Sequence, residues 1–203
     1  MSRGVYLYWI PLGAGGSGFV RLNGRVYEWF VSRRERRSAL DLYHTALSVG
    51  LPEGRFVIET MWPRPDMDGD SRGVVVDGSV FSTWLGFSRI FRYEVRRWRD
   101  GLLPDADQAA EGPQLVIGET DRARDLLDVV GSVPPLVWGR EVTESGDMWN
   151  SNSVVSWLLA KAGADMSRIT PPPGGRAPGW DVGVAVASAG VDVDLISQAR
   201  PGR

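Results

Sequence analysis

The chain has no cysteine, which excludes disulfides, thiolate metal sites and a cysteine nucleophile. It has a single histidine, His44, and a single lysine, Lys161, so its basic charge is almost all arginine. Arginine favours planar, bidentate contact with carboxylate or phosphate, but usage this skewed reads first as a compositional bias. Neither sign of charge dominates. The net charge of −2 provides no global attraction to nucleic acid or to an anionic membrane. No apolar run is long enough to span a bilayer. The opening "MSRGVYLYWIPLGAGG" carries one early arginine, but its apolar stretch is short and no small-residue cleavage site follows, so we do not read it as a signal peptide. The expectation is a cytoplasmic protein with no membrane span, no nucleic-acid partner, no metal and no cofactor.

What is present is ordinary globular material. Hydrophobic residues make up 43% of 203 and charged residues 24%, which suits one domain over 1–203 with a substantial core. Residues 5–12 and 25–31 are rich in aromatic and branched side chains and read as strands, as do 42–49 and 55–61, joined by the turn "GLPEG". Residues 73–76 and 88–98 read as further strands. In "SRIFRYEVRRW" the alternation of Phe91, Tyr93 and Val95 with Arg92, Glu94 and Arg96 is that of a half-buried strand. Two helices follow, over 121–130 and about 151–162, the second with Val154, Val155, Leu158, Leu159 and Ala162 on one apolar face. "TPPPGGRAPGW" reads as rigid loop, and 190–203 as a weak strand and flexible tail. Strands that adjoin one another ahead of the main helix predict an α+β fold, with an antiparallel sheet packed against a central helix.

Two motifs are set aside. Gly13, Gly15 and Gly18 spell a dinucleotide fingerprint, but the following "FVRLNGRVYEWF" alternates as a strand and not as the helix that would hold a pyrophosphate. Asp66, Asp68, Asp70 and Asp77 match part of a calcium loop, yet Ser71 stands where its glycine belongs and Asp77 where its bidentate glutamate belongs. A glycine-rich hairpin and a solvated acidic loop are the better readings.

His44 is the one imidazole available as a general base near neutral pH. The plain alternative is a half-buried histidine bonded to a carbonyl. Glu59, in the next strand, is placed to share a sheet face with His44 and to orient its ring, or is simply a strand glutamate facing solvent. Ser151 opens the main helix in "DMWNSNSVVSWLLAKAG", where the positive end of the dipole and free N–H groups favour an attacking hydroxyl and its oxyanion. Equally, Asn150 or Ser151 is a cap, which accounts for one of the four small residues there.

"YHTALSV" on a strand, with "WNSNSVVSWLL" opening a later helix, resembles the permuted papain-like hydrolases: NlpC-type peptidases, PPPDE peptidases and lecithin–retinol acyltransferases. There a strand histidine precedes a nucleophilic cysteine within a stretch like N-N-C-N-S-F-V. The likeness puts Ser151 at the cysteine position, Trp149 and Asn150 at the two asparagines, and Asn152, Ser153 and Val155 at matching residues. It covers about a quarter of the chain, near 41–60 and 147–180, and the proline-rich segment before Trp180 belongs to it. The resemblance implies a Ser–His acyl hydrolase or acyltransferase with catalytic Ser151, His44 and Glu59. Asn150, Asn152, Trp149 and Trp180 would contact a small-molecule or peptide acyl substrate, with Trp138 as a further wall. The alternative is a degenerate member, lacking the thiol, that works as a binding or scaffold protein through arginines such as Arg89, Arg92, Arg96 and Arg97. An accidental likeness is the third reading.

Overall fold

The aromatic and branched runs become strands, and their partners set two unlike sheet faces. The computed structural model describes residues 3–12, 41–63, 73–103, 105–143 and 147–189. Along these run β1 (Gly4–Pro11), β2 (Asp41–Leu51), β3 (Gly54–Met61), β4 (Val74–Ser79), β5 (Arg92–Arg99) and β6 (Gln114–Ile117). Then come α1 (Thr120–Val129), α2 (Ser151–Lys161), β7 (Gly175–Arg176) and α3 (Trp180–Ser188). The sheet order is β4-β5-β3-β2-β1-β6 with antiparallel neighbours, and β7 adds a two-residue parallel pair to the start of β2. This is the expected α+β class.

Side chains alternate across a strand, so the β1–β2 register sorts residues between faces. Val5, Leu7 and Trp9 of β1, with Tyr43, Leu47 and Val49 of β2, pack in one core with α1, α2 and α3. Tyr6, Tyr8, Ile10 and Ala46 point the other way, under Leu103, Ala106 and Ala109. β2 is therefore covered on both sides.

Several expectations change. The strand predicted from Ser88 begins at Arg92; before it, Thr83–Phe87 and Arg89–Phe91 form two short 3-10 turns. Ser82 starts the first by accepting the N–H of Trp84, a local bond that competes with strand pairing. Glu94 and Arg96, expected on a solvent face, are 5% and 0% exposed. They pair at 2.7 Å, since burying either charge alone would be costly. α2 was expected to bury one stripe, yet every residue from Ser151 to Leu159 is buried. The reason is α3, a helix that the sequence reading did not include: it ended the loop at Trp180 and assigned nothing to 181–188. The "WDVGVAVAS" of α3 carries three valines and a glycine, poor helix formers, and packing on α2 makes it a helix. Gly183 permits that contact: a Cβ there would lie 2.0 Å from the Ser153 carbonyl oxygen.

The glycine-rich hairpin at 13–18, the strand at 25–31, the acidic loop at 66–70 and the tail at 190–203 lie outside the described residues. Among the described residues no helix is long and apolar enough to cross a membrane.

Candidate functional site

Three of the four small residues at the entrance of α2, Asn150 to Ser153, are occupied in tying the helix to its surroundings. Asn150 is the N-cap; its side chain accepts from the N–H groups of Asn152 at 2.9 Å and Ser153 at 3.4 Å. Ser153 Oγ returns the bond by accepting from the Asn150 N–H at 3.1 Å, which completes a capping box. Its own proton goes to the Gly179 carbonyl at 2.8 Å. Asn152 donates through Nδ2 to the carbonyls of Tyr43 and Pro178, and its Oδ1 accepts from the Thr45 hydroxyl at 3.0 Å. One turn on, Ser156 donates to the Trp180 carbonyl at 2.7 Å. Asp147 closes the same junction, accepting from the Gly179 N–H at 2.7 Å and pairing with Arg176 at 3.3 Å.

Ser151 makes none of these ties and is 9% exposed. A serine hydroxyl attacks only if a base takes its proton, so the question is where His44 points. Thr45 faces Asn152 on α2, and Trp9, its partner in β1, packs on Trp180 of α3 with ring centroids 4.9 Å apart. His44, one residue away and paired with Ile10, therefore faces the opposite side of the sheet, the side of Ile10 and Ala46. Burial there pushes its pKa below the ordinary 6.5, against the opposing pull of the Asp105 carboxylate. Glu59 is next to Ile58, which packs in the α2 core, so it too faces away from α2. His44 and Glu59 thus share a face, but the β-sheet lies between them and Ser151. The expected Ser–His pairing is not assembled.

The aromatic wall is not assembled around Ser151 either. Trp149 is fully buried and donates from Nε1 to the Tyr93 hydroxyl at 3.3 Å, while that hydroxyl donates to the Leu136 carbonyl at 2.8 Å. Trp138 stacks beside Tyr93, 5.3 Å between centroids. Trp180 lies under Trp9. Of the four arginines offered as a surface, Arg96 is buried on Glu94, and Arg97 reaches the Leu127 carbonyl at 2.9 Å.

No family model, curated protein or solved structure matches this chain. The site therefore has to be read from its own geometry.

A cleft of about 500 Å³ opens at the edge of β1, lined by Trp9, Glu111, Gln114, Thr170 and Pro171–Pro173, with Ala110 and Gly112 between. Trp9 is its largely buried floor, fixed by the Trp180 stack and by an Nε1 bond to Gln114 Oε1 at 3.2 Å. Among the described residues Glu111 is the one ionisable side chain of the lining, at a positive φ of 60°. Reasoning from sequence missed Trp9, Glu111 and Gln114, because Trp9 lies over a hundred positions from the other two and none belongs to a motif. Thr45 was within reach: in "YHTALSV" alternation sets it opposite to His44.

Proposed function

We propose that this protein is a non-catalytic binding protein whose scaffold is related to the permuted papain-like hydrolases but does not perform their acyl chemistry. One observation carries the reading: the sheet separates the only imidazole from Ser151, while the residues beside Ser151 are spent on structural hydrogen bonds. The kinship proposal is supported by the order of β2, β3 and α2 and by a helix that opens on Asn150–Ser153 against β2. The inverted facing of the histidine is the departure that removes the chemistry.

The cleft at Trp9 is the binding site in this reading. The proline wall, with the small exposed part of Trp9, offers an apolar contact, and the carboxylate of Glu111 suits a positive charge at its end. Such a ligand is an arginine- or lysine-bearing peptide segment.

Two measurements test this. A fluorophosphonate probe is expected to leave the protein unlabelled; labelling lost in both Ser151→Ala and His44→Ala would overturn the non-catalytic reading. Tryptophan fluorescence titrated with short arginine-containing peptides is expected to saturate, and to weaken about tenfold in Glu111→Gln, the worth of one charge-assisted contact. Saturation indifferent to Glu111→Gln would remove the cleft from the proposal.

A further inference from the structure

The 3-10 segment between β4 and β5 displays an apolar surface that the binding cleft does not use. Trp84 is 81% exposed, Phe87 90% and Ile90 78%, with Phe81 and Leu85 beside them. Trp84 and Phe87 alone present roughly 350 Å² of aromatic surface, of the order of the largest apolar patch on a typical monomer. Phe81 stands at φ 61°, a conformation unfavourable for a bulky residue. It is held there by its N–H to the Trp138 carbonyl at 2.8 Å and by Arg140 Nε to its own carbonyl at 3.1 Å.

Two features determine what covers it. The first is charge. From Gly78 to Tyr93 there is no acidic residue, while exposed Arg89, Arg92 and Arg140 border the patch. Arg92 pairs with Asp77 at 3.1 Å and exposed Glu141 follows Arg140, so the excess positive charge of the border rests chiefly on Arg89. A second copy packed face to face would set these arginines against each other, whereas an anionic surface complements them. The second is the backbone. The N–H groups of Trp84, Leu85, Ser88 and Phe91 bond within the segment, and the Gly86 carbonyl accepts from Arg92 Nε at 2.7 Å. Backbone paired in this way can enter a medium of low dielectric without leaving those groups unsatisfied. Projecting aromatic tips over an arginine border match a lipid interface, where aromatic rings settle at headgroup depth and arginine meets anionic lipid.

We propose that Phe81–Arg92 docks this protein on an anionic bilayer surface, with Trp84, Phe87 and Ile90 inserted among the headgroups and Arg89 and Arg140 on lipid phosphates or carboxylates. The full chain is tested by co-flotation with vesicles of phosphatidylcholine alone and of phosphatidylcholine with 30% phosphatidylserine. Binding to the serine-containing vesicles is expected, on the order of tenfold weaker without phosphatidylserine. Trp84→Ser with Phe87→Ser is expected to weaken it by more than about tenfold at unchanged melting temperature, since both side chains are exposed. Arg89→Glu is expected to remove most of the preference for phosphatidylserine. No flotation with either vesicle overturns the proposal. So does concentration-dependent dimerisation in sedimentation that the double serine variant abolishes, because the patch would then be a contact between copies. Binding that the double variant leaves intact overturns it as well.

Discussion

The Thr45 hydroxyl donates a 3.0 Å hydrogen bond to Oδ1 of Asn152 from 107 positions away. Through that bond Asn152 joins β2 to α2, and its Nδ2 bonds to Tyr43 and Pro178 extend the tie to the loop before α3. It also settles the direction of His44, since consecutive strand residues face opposite sides.

Asn152→Leu keeps the size of the side chain but strands the Thr45 hydroxyl and leaves two carbonyls without this donor. At one to three kcal/mol for each buried group left unsatisfied, the expected loss is about 3 kcal/mol. Urea unfolding followed by circular dichroism measures it. A change under about 0.5 kcal/mol, the scale of a surface substitution, would show that water replaces these bonds freely.

Ser151→Ala removes a hydroxyl that takes no part in the helix-entrance network. Its stability is expected to stay within about 1 kcal/mol of the parent chain, in contrast with Asn150→Ala, which loses the cap and about 1 kcal/mol or more. The same urea titrations rank the two. A larger cost at Ser151 than at Asn150 would contradict the assignment of the cap.

His44 makes stability depend on pH. Burial holds its folded pKa below the ordinary 6.5, so between the two values the unfolded chain binds more protons than the folded one. The contribution is therefore complete above about pH 6.5 and is lost as pH falls through the folded value. Melting temperatures from pH 7.5 down to 5 should fall less steeply in His44→Gln than in the parent chain. Parallel curves would show that the imidazole is as solvated folded as unfolded.

Tyr93→Phe deletes the hydroxyl that bonds the Leu136 carbonyl and accepts from Trp149. Both partners are buried, and the expected cost is about 2 kcal/mol. Removal of one oxygen creates almost no cavity, so a loss above about 4 kcal/mol would point to wider repacking.

Gly183→Ala drives a methyl group into the Ser153 carbonyl and the Ser156 hydroxyl, 2.0 and 2.1 Å from the new Cβ. Alanine is the better helix former by about 1 kcal/mol, so propensity alone predicts stabilisation. The contact reverses the sign: α3 must move off α2, at an expected cost of about 3 kcal/mol. A raised melting temperature in this variant would refute the close approach of the two helices.

The local signals in the chain were readable. β1, β2 and β3 appear within a residue or two of their predicted bounds, because each is a branched or aromatic run ended by glycine or proline turn material. α2 begins at Ser151 because a polar cap meets an apolar stretch. α3 was not readable, since the three valines and the glycine of "WDVGVAVAS" argue against a helix and packing on α2 makes it one. The start of β5 was misjudged for a related reason: Ser82 and the glycine at 86 turn the chain locally, and nothing in the alternation after Ser88 reveals it. At the candidate site the residue types drew notice, but the chemistry inferred from them depended on facing.

Taken alone, the order of residues determined the class of fold, the start of α2 and the fact that His44 and Thr45 point apart. It did not determine which of the two meets the helix. β2 is buried on both faces, so its apolar pattern has no outer side to mark a direction. Only the packed molecule decided that Thr45 turns to Asn152, that the imidazole lies behind the sheet, and that Trp9 and Glu111 line one cleft. Those relations join segments distant in the chain, and the energy that selects them appears only when the layers close on one another.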